Sequence, residues 1–179
     1  IVVFGKRAGE SMLEYVSKTK STSISDSAAD DLVNKINNLI EKEHTDEFSV
    51  GRIRNDLQES MEENAKIFRS EETLSKQTEI LENLRERYEN VTIFDKGKVF
   101  NTELMEAIEL DYLLDMSEST VASALARKES RGAHSRQDFP DRDDGNFMKH
   151  SFAFKNGNSA NLRYKDVELG KYEPMERKY

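Results

Sequence analysis

The sequence predicts a mainly α fold: an antiparallel three- to four-helix bundle followed by a small β-hairpin appendage at the C-terminus. Two observations point to it directly. Apolar residues recur at three- and four-residue spacing through most of the first 128 positions, and beyond residue 146 the period changes to two. A third works by exclusion, since two prolines and eight glycines are too few for the many turns of a β-sandwich or barrel. With 36% hydrophobic and 35% charged residues in 179, the chain can fill one thin core, of the kind helices build from narrow apolar stripes.

The elements follow in order. Residues 1–18 read as a helix with Val2, Val3, Phe4, Leu13 and Val16 apolar, and Gly5 and Gly9 at a spacing that permits close approach to another element. "STSISDS" (21–27) is a polar linker ending in an N-cap. A helix over about 26–43 places Ala29, Leu32, Val33, Ile36, Leu39 and Ile40 on one face. A third, about 49–68, carries Ile53, Leu57, Met61, Ala65 and Phe68. The fourth, about 70–89, opens on Ser70 with Glu71 and Glu72 behind it, acids that suit a helix N-terminus. Its stripe is Leu74, Gln77, Leu81, Leu84, Tyr88 and Val91, with Gln77 the polar exception. "VTIFDKGKVF" (91–100) predicts a tight loop or short hairpin. The longest helix, about 102–128, is capped by Asn101 or Thr102. Its second half is rich in small residues, which suit a close helix–helix crossing, and its serines can bond to preceding carbonyls. "FMKHSFAF" and "ANLRYKDVEL" then alternate around "NGNS" (156–159), a hairpin signal because Asn-Gly readily takes positive φ.

Composition excludes several functions. A net charge of −8 argues against nucleic acid or an acidic membrane surface as the main partner. The absence of cysteine removes disulfides, thiol nucleophiles and thiolate metal sites. No apolar run approaches the roughly 20 residues that span a bilayer. None of the eight glycines forms a G-x-G-x-x-G or Walker loop, so no residue of this chain is assigned to cofactor binding. The chain opens on Ile1 inside a helical pattern with no capping residue ahead of it, and it is expected to be a piece of a longer protein.

Chemistry concentrates in "ARKESRGAHSRQDFPDRDDGNFMKH" (126–150). His134, between Arg131 and Arg136, is a candidate proton acceptor, because cationic neighbours keep an imidazole neutral. It is equally a candidate hydrogen-bonding pin for a loop, the reading preferred here. Asp138 and Asp141 near His134 could help bind a metal; the simpler expectation is that Asp138, Asp141, Asp143 and Asp144 pair with Arg131, Arg136, Arg142 and Lys149 or cap turns. No metal site is assigned, since the three histidines show no H-x-x-x-H. His150 is expected to be structural in a strand, and His44 exposed in a linker.

These residues carry a resemblance. Glu129-Ser130-Arg131-Gly132-Ala133-His134, then Arg136, Asp138, Pro140, Arg142-Asp143-Asp144 and Lys149-His150, resemble the C-terminal signature of the flavoprotein subunit of succinate dehydrogenases and fumarate reductases. "FNTELMEAIELDYLLDMSESTVASALA" is similar to that family's long helix, "MEENAKIFRSEETL" to its bundle and "YEPMERKY" to its end. L-aspartate oxidase shares a shorter version of "ESRG".

The resemblance implies an enzyme that interconverts succinate and fumarate through FAD and passes electrons to an iron–sulfur subunit and on to quinone. The catalytic and flavin-binding residues would lie upstream, so no catalytic residue falls in this chain. Residues 1–20 would continue a helix from an FAD domain of the same subunit, 21–130 form the bundle and 131–179 the extension. Glu129, Arg131, Gly132, His134, Arg136, Asp138, Pro140, Arg142, Asp143, Asp144 and His150 would form a structural and interface signature. The intact complex would sit at the cytoplasmic face of the cell membrane, held there through anchor subunits. The alternatives are a stand-alone helical adaptor or the equivalent part of L-aspartate oxidase.

Overall fold

A computed structural model describes residues 1–157 and 159–175. Asn158 of the "NGNS" turn and the last four residues of "YEPMERKY" lie outside the described residues. The chain divides into two compact units, residues 1–35 and 36–179.

The first unit contains helix α1 (Val2–Lys18), none of whose residues is buried. Its apolar residues Val3, Phe4, Leu13 and Val16 are all exposed. A 3-10 turn (Asp26–Ala29), capped by the Ser25 hydroxyl, precedes helix α2 (Asp30–Glu41). The predicted α2 stripe is buried only at its end: Leu39 enters the core with Ile40 against it, while Leu32 and Val33 are exposed.

The core of the second unit lies among α3 (Val50–Asn64), α4 (Glu71–Glu89) and α5 (Thr102–Ala126). Cross-helix pairs fix their directions. Asp56 meets Arg87 and Glu63 meets Lys76, so α3 and α4 run antiparallel. Tyr88 bonds the Ala107 carbonyl while Arg85 reaches Glu118, so α4 and α5 do the same. Ile53, Leu74, Leu84, Leu110 and Leu114 are fully buried, each worth about 1.5–3 kcal/mol relative to exposure. Gln77 sits in this core with no exposure because its amide donates to the Ser60 hydroxyl and accepts from Asn64.

Helix α3 ends at Asn64, four residues before the predicted limit, because the Asn64 side chain turns inward to Ser60 and Gln77. Phe68 therefore leaves the stripe; it is exposed and belongs to a short strand β1 (Phe68–Arg69). Ser70 then caps α4 in a reciprocal box with Thr73.

Residues 91–100 form a loop rather than a hairpin. Val91 and Ile93 are buried, the Asn101 side chain holds the carbonyls of Asp95 and Gly97, and Glu103 accepts from the amides of Phe94 and Asp95. Asn101 also caps α5 through the Leu104 amide. His44, expected in the open, is half-buried on the edge of the Phe94 ring.

After α5 come strand β2 (Ser135–Arg136), paired in parallel with β1, a short helix α6 (Asp144–Phe147), and the hairpin β3 (Lys149–Asn156) and β4 (Ser159–Asp166). The hairpin register runs from Lys149 opposite Asp166 to Asn156 opposite Ser159, with Gly157 at φ +59° as such a tight turn requires. Lys155 ties β3 to α5 by reaching Asp115 at 2.7 Å. The second half of α5 faces two ways: Glu118, Val121 and Ala122 lie beside Leu81 and Arg85 of α4, while Ser119, Ser123 and Ala124 line a cavity together with Ser151 and Ala153 of β3.

Candidate functional site

The charged stretch folds into a bracket around two buried ions of opposite sign. Glu129 is the first, with no exposed surface. Its carboxylate accepts from Arg127 Nη1 at 2.6 Å, Arg131 Nε and Nη2 at 2.9 and 3.0 Å, and the Asp143 amide at 2.8 Å. Burial alone would raise its pKa; those donors outweigh burial and hold it below the ordinary glutamate value.

Arg136 is the second, 1% exposed. It forks onto Asp138 at 2.8 and 2.7 Å, bonds Glu71 at 3.1 Å, and donates to the carbonyls of Ala124 and Leu125, both at 3.0 Å. Asp138 in turn accepts from the Glu71 amide at 2.8 Å. One guanidinium thus satisfies the orphan carbonyls at the end of α5 while its partner carboxylate sits at the positive start of α4. The Arg136 fork drives the Asp138 carboxyl far below the usual carboxylate range.

Between them the chain reverses. The amides and carbonyls of Arg131 and His134 exchange bonds of 2.8 and 3.0 Å, and Gly132 takes the left-handed conformation, φ +60°, that the reversal needs. His134 Nδ1 lies 3.0 Å from Arg69 Nη1, and Nε2 lies 3.1 Å from the Arg127 carbonyl. Guanidinium only donates, so Nδ1 accepts and the proton sits on Nε2. Burial, followed by the charges of Arg69, Arg136 and Arg127, lowers the His134 pKa, although the bond to the Arg127 carbonyl acts the other way. Both ring nitrogens are engaged in these bonds.

The remaining signature residues shape the exit. Asp143 caps α6 through the Asn146 amide, and Asp144 accepts from Arg131 at 2.6 Å and Arg142 at 2.5 Å. Pro140 is exposed between β2 and α6, and His150 is exposed on β3. Lys149, expected to pair with an aspartate, instead lies over the rings of Phe147 and Tyr164. No cluster of metal-binding side chains occurs among the described residues.

Two contributors carried no local signal in the sequence. Arg69 and Glu71 lie 65 residues from the groups they bind, His134 and Arg136, and reach them only because β1 pairs with β2. Arg127 lay inside the charged stretch yet was not singled out; it ends α5 and bonds Glu129, the carbonyls of Phe147 and Lys149, and Ser151.

A cavity of about 720 Å³ opens between α5, this bracket and the hairpin. Among the described residues it is lined by no glycine, and the parallel pairings are the two-residue β1–β2 ladder and the isolated Ser49–Thr92 bridge, so no dinucleotide-binding βαβ unit is built around it. No helix among them is long and apolar enough to cross a membrane.

Comparison with known proteins agrees with this architecture. Residues 54–179 match the family described as fumarate reductase flavoprotein C-term. Over the whole chain, the fumarate reductase flavoprotein subunits of Haemophilus influenzae and of a Serratia species are 37% and 40% identical. A solved Escherichia coli quinol fumarate reductase chain superposes on 98% of this one with a TM-score of 0.88 at 34% identity, and 30% of that chain is covered. The chain likewise spans 30% of the length of the two curated relatives. It belongs to the fumarate reductase flavoprotein C-terminal family, the C-terminal portion of fumarate reductase and succinate dehydrogenase flavoprotein subunits.

Proposed function

We propose that the chain is the helical domain and C-terminal extension of a flavoprotein subunit that interconverts succinate and fumarate. The continuous match across all 179 residues carries this reading. FAD would be held by the part of the subunit outside this chain and would exchange a hydride with the substrate. Electrons would pass to an iron–sulfur subunit, and anchor subunits would bring the complex to the cytoplasmic face of the membrane. Residues 1–20 would continue a helix from the flavin domain, 21–130 form the bundle and 131–179 the extension.

The role of this portion is structural. Glu129, Arg131, Gly132, His134 and Arg136 fix the end of α5 against the start of α4, and the resulting rigid face would support the flavin domain. The test starts from the reading frame upstream of Ile1. Expressed in full, it is expected to yield a yellow subunit that oxidises succinate with an artificial acceptor, whereas residues 1–179 with added FAD stay colourless and inactive. A reading frame without a flavin domain would favour a stand-alone adaptor instead. In the full subunit, Arg131→Ala should reduce flavin retention or complex assembly; unchanged values for both would remove the supporting role.

A further inference from the structure

The cavity beside α5 is lined by Arg69, Arg127, Arg131, His134, Lys149 and His150 and, among the described residues, by no carboxylate, in a chain whose net charge is −8. Part of that positive charge is answered internally, because Arg127 and Arg131 share Glu129. Arg69 and Lys149 are different. Among the described residues the Arg69 guanidinium bonds only the Ala65 carbonyl and His134, and burial lowers its pKa. Lys149 Nζ rests 5.4 and 4.6 Å from the ring centres of Phe147 and Tyr164. Neither has a carboxylate within 4.0 Å among the described residues. The rest of the lining includes apolar Phe147, Met148 and Val167, so cations surround a surface that gains from being covered.

Solvent-facing ion pairs are individually weak, too weak to hold a small free anion against its lost translational freedom. A carboxylate carried on the same polypeptide pays far less, since tethering supplies an effective concentration on the order of millimolar. Relatives extend well beyond the 30% of their length that this chain spans. We propose that the cavity seats an Asp- or Glu-bearing segment of the same subunit, outside residues 1–179, whose carboxylate pairs with Arg69 and Lys149. This rests on the function proposed above.

Carbodiimide coupling, which joins an amine to a carboxylate in direct contact, tests it in the full-length flavoprotein subunit, with coupled peptides identified by mass spectrometry. Lys155 and Asp115, 2.7 Å apart, supply the internal positive control. Lys149 is expected to couple to an acid outside residues 1–179. No coupling at Lys149 while Lys155 couples, coupling only to an acid within 1–179, or coupling only to another subunit of the complex would each overturn the seat. Succinate oxidation is measured on the same preparation. An active subunit with Lys149 uncoupled overturns the seat alone, and an inactive one with Lys149 coupled overturns the activity alone.

Discussion

Arg69 Nη1 stands 3.0 Å from His134 Nδ1 and gives the imidazole no choice of tautomer. Protonating Nδ1 would set an N–H against a cation, while Nε2 is already committed to the Arg127 carbonyl. The ring is therefore a neutral strut joining the start of α4 to the end of α5, with one side accepting and the other donating.

A pH dependence follows. The folded pKa of His134 is lowered, first by burial and then by the surrounding arginines. On acidification the unfolded chain takes up the proton first, near its ordinary value of about 6.5. The stability tied to this residue is therefore full above that pH and is lost as pH falls from there towards the folded pKa. Urea midpoints measured at pH 7.5 and 5.5 should drop for the wild type. The drop should shrink in His134→Gln, whose amide can also accept and donate at once. Equal slopes for the two proteins would mean that His134 is not the titrating group.

Arg136→Lys keeps the charge but loses the fork. Arg136 uses Nε, Nη1 and Nη2 at once on Asp138, Glu71 and two α5 carbonyls, and an ammonium cannot match that geometry. Lysine should cost about 2 kcal/mol, and alanine about 4 kcal/mol because it strands a carboxylate and the helix end. Chemical denaturation gives both numbers; a lysine variant as stable as wild type would show that only charge matters there.

The sequence made the bundle legible because its stripes are long and regular: Leu74, Leu81, Leu84 and Tyr88 are all buried as their spacing predicts. The hairpin was legible for a similar reason, an Asn-Gly turn between two alternating runs. Errors arose where tertiary contacts overrode local pattern. Phe68 continued the α3 period, but Asn64 broke the helix to reach Gln77, and pairing with Ser135 made a strand of what followed. Within the bracket, Arg136 and Asp138 stood out by composition, and Glu129 only through the family resemblance. Arg69 and Glu71 did not, since only the fold brings them together with residues 65 positions away.

Gln77 offers a test of how the core tolerates a polar group. Its amide completes a closed set with Ser60 and Asn64, and no buried side-chain polar atom among the described residues lacks a partner. Gln77→Leu breaks that set and should cost about 1–2 kcal/mol, much of it from the Asn64 amide left short of an acceptor. Adding Ser60→Ala and Asn64→Leu should recover most of the loss, because an apolar replacement of the whole set leaves nothing unpaired. A triple variant less stable than Gln77→Leu would mean that the set contributes net stability and does more than avoid a penalty.

Glu129 is the carboxylate on which the donors of the reversal converge. It alone joins Arg127, which ends α5, to Arg131, which opens the reversal, and to the Asp143 amide ahead of α6. Glu129→Gln keeps the shape but withdraws the charge from two arginines that are 16% and 27% exposed, so the penalty should be about 3 kcal/mol. Arg131→Ala should cost only about 1 kcal/mol, since Arg127 and the Asp143 amide still satisfy the carboxylate. Urea unfolding followed by circular dichroism gives the ranking, and hydrogen exchange at the Asp143 amide gives its cause: the amide should lose protection in Glu129→Gln and keep it in Arg131→Ala. Equal costs for the two variants would place the hub on the arginine, against the geometry of four donors converging on one buried carboxylate.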